Sequence, residues 1–380
     1  MLLKNCRHYQ YPNKGLWDIL VDGSKISAVA PAGTLNAPVV IDAKRYIVAP
    51  GLIDVHIQGA GGSDVLDATP EALRCISATL ASFGTTGFLG TTFMNPVNGN
   101  AHLKLLQEMT GSDLGGARLL GIHLEGPFIN IKKKGGINPQ GIYDASPAEL
   151  EKILALTGQS LKMMTIAPEL PGNLDIVRSL LSLGIIPSFG HSEATYAETK
   201  IAFDAGISHV THLFNAMPPL SHRAPGPLTA IFESQHVSAQ IISDGHHVDP
   251  AVVALAFKFL GPLRTICITD GVQGIGLPPG KYLFNGREYE TMQGAARYLD
   301  GTLIGSTKGL SQIIAEFKKY THCSVATAVE SASLAPARLL GIDNRYGTLE
   351  TGKQADIVLF DDDLSVWSTF VAGRSVYQRA

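Results

Sequence analysis

Cysteine is scarce in this chain. Only Cys6, Cys75, Cys267 and Cys323 occur in 380 residues, and no two form a Cys-x-x-Cys pair. That spacing excludes a disulfide framework and a cysteine-ligated zinc site, and it points to reduced thiols in a cytoplasmic protein. Long apolar runs are missing as well. No uncharged stretch approaches the ~20 residues that cross a bilayer. The opening Met1-Leu2-Leu3-Lys4-Asn5-Cys6 lacks the apolar core of a signal peptide. Basic clusters are absent apart from Lys132-Lys133-Lys134, and the formal net charge is −3. Nucleic acid is therefore not an expected partner, because a phosphate backbone needs a broad basic surface. A small phosphate compound, which needs only about one or two cations, stays compatible. No short internal repeat is found.

What the chain has in plenty is hydrophobic residues, 45% against 17% charged, and 40 glycines. This is the composition of a globular protein with many tight connections. Short apolar runs alternate with polar or glycine-containing loops and helical patterns. Eight runs stand out: 52–56, 85–89, 119–124, 162–167, 185–189, 209–213, 239–242 and 265–269. Helical patterns lie between them at 70–83, 147–156, 174–183, 194–205 and 250–260. Thr69-Pro70 and Ser146-Pro147 each place a capping residue before a proline at the first helical position. Eight strands alternating with helices predict an α/β fold, a (β/α)8 TIM barrel, over residues 50–344. A doubly wound open sheet would use the same alternation. Residues 1–49 and 345–380 carry short strand patterns instead, and are expected to pair into a small β-sandwich domain beside the barrel. A further β excursion near 280–300 should cover the barrel mouth.

Polar residues gather where the predicted strands end. The first run leads through Asp54-Val55-His56-Ile57-Gln58, the third ends in His123-Leu124-Glu125-Gly126-Pro127, and the fifth leads to Gly190-His191-Ser192. The sixth contains His209 and His212, the seventh leads to Asp244-Gly245-His246-His247, and the eighth to Thr269-Asp270-Gly271. One such histidine is usually a hydrogen-bonded structural residue, and one Asp-Gly is usually a turn. Six in register at the same end of successive strands mark the face where barrels build active sites. Imidazole together with carboxylate suits a divalent metal, zinc first. Glu125, His191 and His212 supply three ligands and leave a place for water, and Asp270 is the candidate general base and then acid.

Several segments carry a family resemblance. Pro50-Gly51-Leu52-Ile53-Asp54-Val55-His56 resembles the first-strand signature of the amidohydrolase superfamily. His123-Leu124-Glu125-Gly126-Pro127-Phe128, His212-Leu213-Phe214-Asn215-Ala216-Met217-Pro218 and Ile242-Ser243-Asp244-Gly245-His246-His247 resemble its N-acetylglucosamine-6-phosphate deacetylase family. The similarity runs on to Gly352-Lys353-Gln354-Ala355-Asp356 and so spans nearly the whole chain. It implies metal-dependent removal of acetyl from an N-acetylated amino-sugar 6-phosphate, with the same three metal ligands and Asp270 as catalytic aspartate. It also implies substrate contacts from Asn215, the backbone of Ala216, Arg223 and His247. Arg223 is the natural phosphate partner and can serve a neighbouring subunit, so a homodimer is expected.

The chain departs from this pattern at two places. The first-strand motif reads His56-x-Gln58, so one tightly held metal is expected, with at most a weaker second site near His56, Gln58 and Asp270. Ile137 stands where the family usually has a histidine that polarises the acetyl carbonyl, and isoleucine has no hydrogen bond to donate. N-acetyl-D-glucosamine 6-phosphate is the first expected substrate and N-acetyl-D-galactosamine 6-phosphate the runner-up. Cyclic-amide hydrolysis is disfavoured by Glu125-Gly126-Pro127, which stands where those relatives use a lysine. A non-catalytic scaffold is disfavoured by the retention of all four metal-site and acid–base candidates.

Overall fold

The computed structural model describes residues 1–284 and 287–379. Eight parallel strands form the barrel wall: Leu52–Ile57, Thr85–Thr92, Arg118–Glu125, Leu161–Ile166, Ile186–Phe189, His209–Val210, Ser238–Ile241 and Thr265–Cys267. Hydrogen bonds join them in sequence order. The wall closes between the last strand and the first. There Asp270 N–H donates to the His56 carbonyl at 2.9 Å, and Gln58 N–H donates to the Gly271 carbonyl at 2.8 Å. The seam thus places Asp270 next to His56. The fold is the expected (β/α)8 barrel, not the open sheet.

The strands alternate with helices as the patterns predict. Pro70–Ser82 and Pro147–Thr157 begin with Thr69 and Ser146 accepting backbone N–H groups of the first turn. Tyr196–Asp204 starts later than its apolar pattern because Thr195 and Glu198 form a capping box that sets the first turn. Two strands are shorter than their apolar runs, and the reason is local. His212 has φ 28° and Asp270 has φ 47°, left-handed values that end extended pairing and turn each residue out of the wall.

The termini meet in one mixed sheet. Ile357–Phe360 pairs antiparallel with Ile47–Pro50, which runs parallel to the end of Leu2–His8. Leu2–His8 changes neighbour at Asn5, φ 60°: residues 2–4 pair with Val40–Asp42, residues 7–8 with Ile47 and Val48. Its other edge carries Trp17–Asp22 and then Lys25–Pro31. The two predicted terminal segments therefore do form a β unit, hydrogen-bonded as a single sheet that branches at Leu2–His8. Only Gly51 separates it from the first barrel strand, and a Cβ there would overlap the Thr86 side chain. The sheet leans on the starts of the barrel strands. Asp356 pairs with Arg118 at the head of the third strand, and Thr369 Oγ1 donates to the Ala81 carbonyl at 2.7 Å.

At the opposite end, Gly280–Phe284, Arg287–Met292, Ala295–Tyr298 and Leu303–Ser306 make the expected excursion, an antiparallel sheet. Leu303 and Ile304 reach the cavity in the mouth. No helix among the described residues is long and apolar enough to cross a membrane.

Candidate metal centre and active-site cavity

Glu125 is the last residue of the third strand, and His191 and His212 each follow a strand end by two residues. His191 also has a left-handed backbone, φ 48°. Such conformations are costly for residues with a Cβ and gather where a side chain must be aimed. Here they aim two imidazoles at one carboxylate. His191 Nε2 lies 2.8 Å and His212 Nε2 3.0 Å from Glu125 Oε1, and the two nitrogens are 3.0 Å apart. All three side chains are buried.

The proton positions make this cluster a cation site. His191 Nδ1 donates to the Lys133 carbonyl at 2.6 Å, so in the neutral ring Nε2 carries only a lone pair. That lone pair faces a carboxylate oxygen and a second imidazole nitrogen. Buried electron pairs that face one another need a positive charge between them. Two imidazole nitrogens and one carboxylate oxygen, with room for water, are also the donor set of a catalytic zinc or similar ion. The residues present thus fit a divalent metal.

A second set of groups adjoins the first. His56 Nε2 is 3.2 Å from Asp270 Oδ1 and 3.7 Å from Glu125 Oε1. Its Nδ1 meets Gln240 Oε1 at 2.9 Å. Burial alone would keep His56 neutral, but Asp270 and Glu125 hold its pKa well above the ordinary imidazole value. Burial likewise works against charge on Glu125 and Asp270. Facing His56, both carboxyls nevertheless lie below their usual range, Glu125 well below it. Gln58 Nε2 donates to Asp270 Oδ1 at 3.3 Å, so the carboxylate is held from two sides.

These groups form the floor of a cavity of about 190 Å³. Gln58, Glu125, His191, His212 and Asp270 line it, and Asn215, Ala216 and His247 contribute to its wall. Asn215 Nδ2 donates to the His212 and Leu213 carbonyls at 3.3 and 3.2 Å, which fixes its amide. Ala216 has φ 53° and its carbonyl accepts from Ser192 N–H. The structure thus gathers every predicted site residue save one. Arg223 lies on an exposed loop and is not among the described residues that line the cavity. Ile137 does line it, with Phe93, Leu303 and Ile304, so this wall is apolar.

Two positioning residues carry no motif of their own. Gln240 Oε1 accepts from His56 Nδ1 and also from His212 N–H at 3.2 Å, joining the two histidine sites. Asp244 Oδ2 accepts from His247 Nδ1 at 2.7 Å and sets the ring, whose Nε2 stands 3.8 Å from Asp270 Oδ2. Burial opposes its charge, yet the His247 hydrogen bond keeps the Asp244 carboxyl below its ordinary pKa. Gln240 sits inside the seventh strand, where a lone polar residue in an apolar run was the available signal. Asp244 stood in a segment already singled out, but an Asp-Gly pair reads first as a turn.

Comparison with known proteins agrees with this geometry. Residues 285–376 match the model of the amidohydrolase family. The N-acetylglucosamine-6-phosphate deacetylase of Vibrio furnissii is 35% identical over 358 residues, 92% of this chain and 90% of that one. The N-acetylgalactosamine-6-phosphate deacetylase of Escherichia coli O157:H7 is 34% identical over 329 residues, 86% of this chain and 87% of that one. Among solved structures, a point mutant of the Mycobacterium smegmatis N-acetyl-D-glucosamine-6-phosphate deacetylase, in complex with N-acetyl-D-glucosamine 6-phosphate, superposes with a TM-score of 0.90. It shares 30% identity, covering 100% of this chain and 99% of that one.

Proposed function

Because the chain belongs to the N-acetylglucosamine-6-phosphate deacetylase family of amidohydrolases, we propose that it hydrolyses the acetamide of an N-acetylhexosamine 6-phosphate, N-acetyl-D-glucosamine 6-phosphate first. The observation that carries this is the convergence of Glu125, His191 and His212 beside an ionised Asp270 on the floor of one cavity. Glu125, His191 and His212 would hold a divalent ion, zinc by its donor set, and when bound it would supply Lewis-acid activation of water and of the acyl carbonyl. Asp270 then acts at two points. Its carboxylate, kept charged by His56, takes the proton of the attacking water, and it returns that proton to the departing amine nitrogen. His56 and Gln58 hold Asp270 for both transfers, and a weaker second cation at His56, Gln58 and Asp270 would bind only after displacing the proton from His56 Nε2. His247, set by Asp244, and Asn215 and the Ala216 backbone hold the sugar phosphate.

The described lining of this cavity contains no lysine or arginine. A dianionic phosphate needs a cation, and Arg223 meets that need if a second subunit presents it. Leu220, close to Arg223 and 56% exposed, gives that loop an apolar surface to bury in a homodimer. Arg223→Ala should raise KM for the phosphorylated substrate by about 10- to 100-fold with little change in kcat, since the phosphate is remote from the broken bond. An unchanged KM would remove Arg223 from the site. The deciding measurement is acetate release from the gluco and galacto N-acetyl 6-phosphates, side by side, with zinc supplied. A gluco preference of about tenfold in kcat/KM upholds the first substrate, and the reverse ratio assigns the galacto one. No release from either sinks the function.

A further inference from the structure

A second cavity adjoins the apolar wall of the active-site cavity. Phe93, Gly136 and Ile137 line the active-site cavity on one side and also line this second cavity, of about 460 Å³. Phe93 and Ile137 are buried and pack with Ile129 into a small cluster of their own. Beyond them the chemistry changes. Lys134 and Arg287 bring two cations to the second cavity, and no carboxylate is among its described lining residues. Arg287 is held in place: its guanidinium carbon lies 3.9 Å from the centroid of the Tyr298 ring, and one nitrogen meets Asp300 at 3.1 Å. A guanidinium has further N–H groups for another anion. Lys134 Nζ makes a 3.2 Å hydrogen bond to the Gly135 carbonyl.

We infer that the acyl side of the site runs past Ile137 into this basic pocket, so that the chain also cleaves N-acyl groups ending in a carboxylate, amides of short dicarboxylic acids such as N-succinyl hexosamine 6-phosphate. This rests on the deacetylase function proposed above. There, Asn215, Ala216 and His247 take the sugar phosphate, which leaves the Gly136–Ile137 side for the acyl chain. Methylene groups suit Phe93 and Ile137, and a terminal carboxylate suits Lys134 and Arg287. The chemistry needs only water. Its hydroxyl adds to the acyl carbon, the C–N bond breaks, its proton goes to nitrogen, and a dicarboxylate and an amino-sugar phosphate leave.

The test uses the metal-loaded enzyme with N-acetyl-, N-butyryl- and N-succinylglucosamine 6-phosphate and their galacto counterparts, following release of the free amine. N-succinyl substrate should be cleaved with kcat/KM at least equal to that for N-acetyl and above that for N-butyryl. Arg287→Ala and Lys134→Ala should each lower the succinyl value about tenfold, the worth of one charge-assisted hydrogen bond, and leave the acetyl value within about twofold. Succinyl turnover about 100-fold below acetyl in the unaltered enzyme overturns the inference and leaves the deacetylase function standing. Equal loss of the two activities in Arg287→Ala through a raised KM also overturns it, by placing the phosphate in the second pocket. Succinyl turnover indifferent to both substitutions overturns it too. Release of amine from none of the substrates ends the deacetylase function and this inference together.

Discussion

At the end of the barrel where the strands begin, Val358 and Phe360 of the terminal sheet are wholly buried beside Gly84 at the head of the second strand, and the prominent charged contact there is Arg118 with Asp356. At the mouth, His56, Glu125, His191 and His212 are buried almost as deeply, but every one of them is polar. The first region removes apolar surface from water and stabilises the fold by roughly 25 cal/mol per Å². The second keeps charge in a low dielectric, which costs stability and is sustained only by opposite charges close by. Equal burial thus serves different ends. Side chains below should matter to folding and little to turnover, and side chains above the reverse.

The largest expected effect lies at the mouth. Asp270→Asn should lower kcat by about 10³-fold or more, because it removes the acid–base group of two proton transfers. Bound metal, read by atomic emission, should stay near the unaltered level, as the amide leaves Glu125, His191 and His212 in place. Loss of metal with activity would instead make Asp270 a ligand first. At the other end, Phe360→Ala should cost about 3–5 kcal/mol in urea unfolding through the cavity it leaves. The protein still folded should keep its kcat/KM. A fall in kcat/KM there would break the division between the two ends.

Gln240→Leu sharpens it from within the barrel wall. The substitution keeps the bulk and removes the acceptor shared by His56 and His212, so metal affinity and activity should drop about 10- to 100-fold. Gln240→Glu should restore part of the loss, because it returns the acceptor oxygen. A substitution that only lowers stability would show no such rescue.

The smallest effect concerns a buried polar group outside both regions. His102 Nε2 lies 3.1 Å from the Phe93 carbonyl, and burial lowers its pKa to about 4. The folded value lies below the unfolded one, so the contribution is fully present above pH ~6.5 and is lost as pH falls toward 4. By pH 5 the loss should reach about 2 kcal/mol, absent from His102→Gln, in parallel urea titrations. If both proteins lose stability equally, His102 is not the group responsible.

The candidate site was legible in part because its residues sit at strand ends, where the period of the wall breaks off. Glu125, His191, His212 and Asp270 were readable for that reason, and the structure brings them together. The turns that aim them were not. An apolar run continues in sequence through Leu213 and through Thr269, but the backbone leaves the strand geometry before either residue. Gln240 shows in sequence only as a lone polar residue in an apolar run: its role is to bridge His56 and His212, residues far from it in the chain, and no local pattern records that bridge.

Alternation of apolar runs and helix starts determined an α/β fold of eight strands, and imidazole and carboxylate at successive strand ends pointed to metal chemistry. Both are local properties, set by side-chain period and by which residue follows a strand. Only the tertiary structure decided that the wall closes at Asp270 and His56, that Arg223 is not among the described residues lining the cavity, and that Ile137 stands between that cavity and a basic one. Those facts depend on how distant segments meet across the barrel mouth, and proximity of that kind is fixed by packing and closure, not by neighbours along the chain.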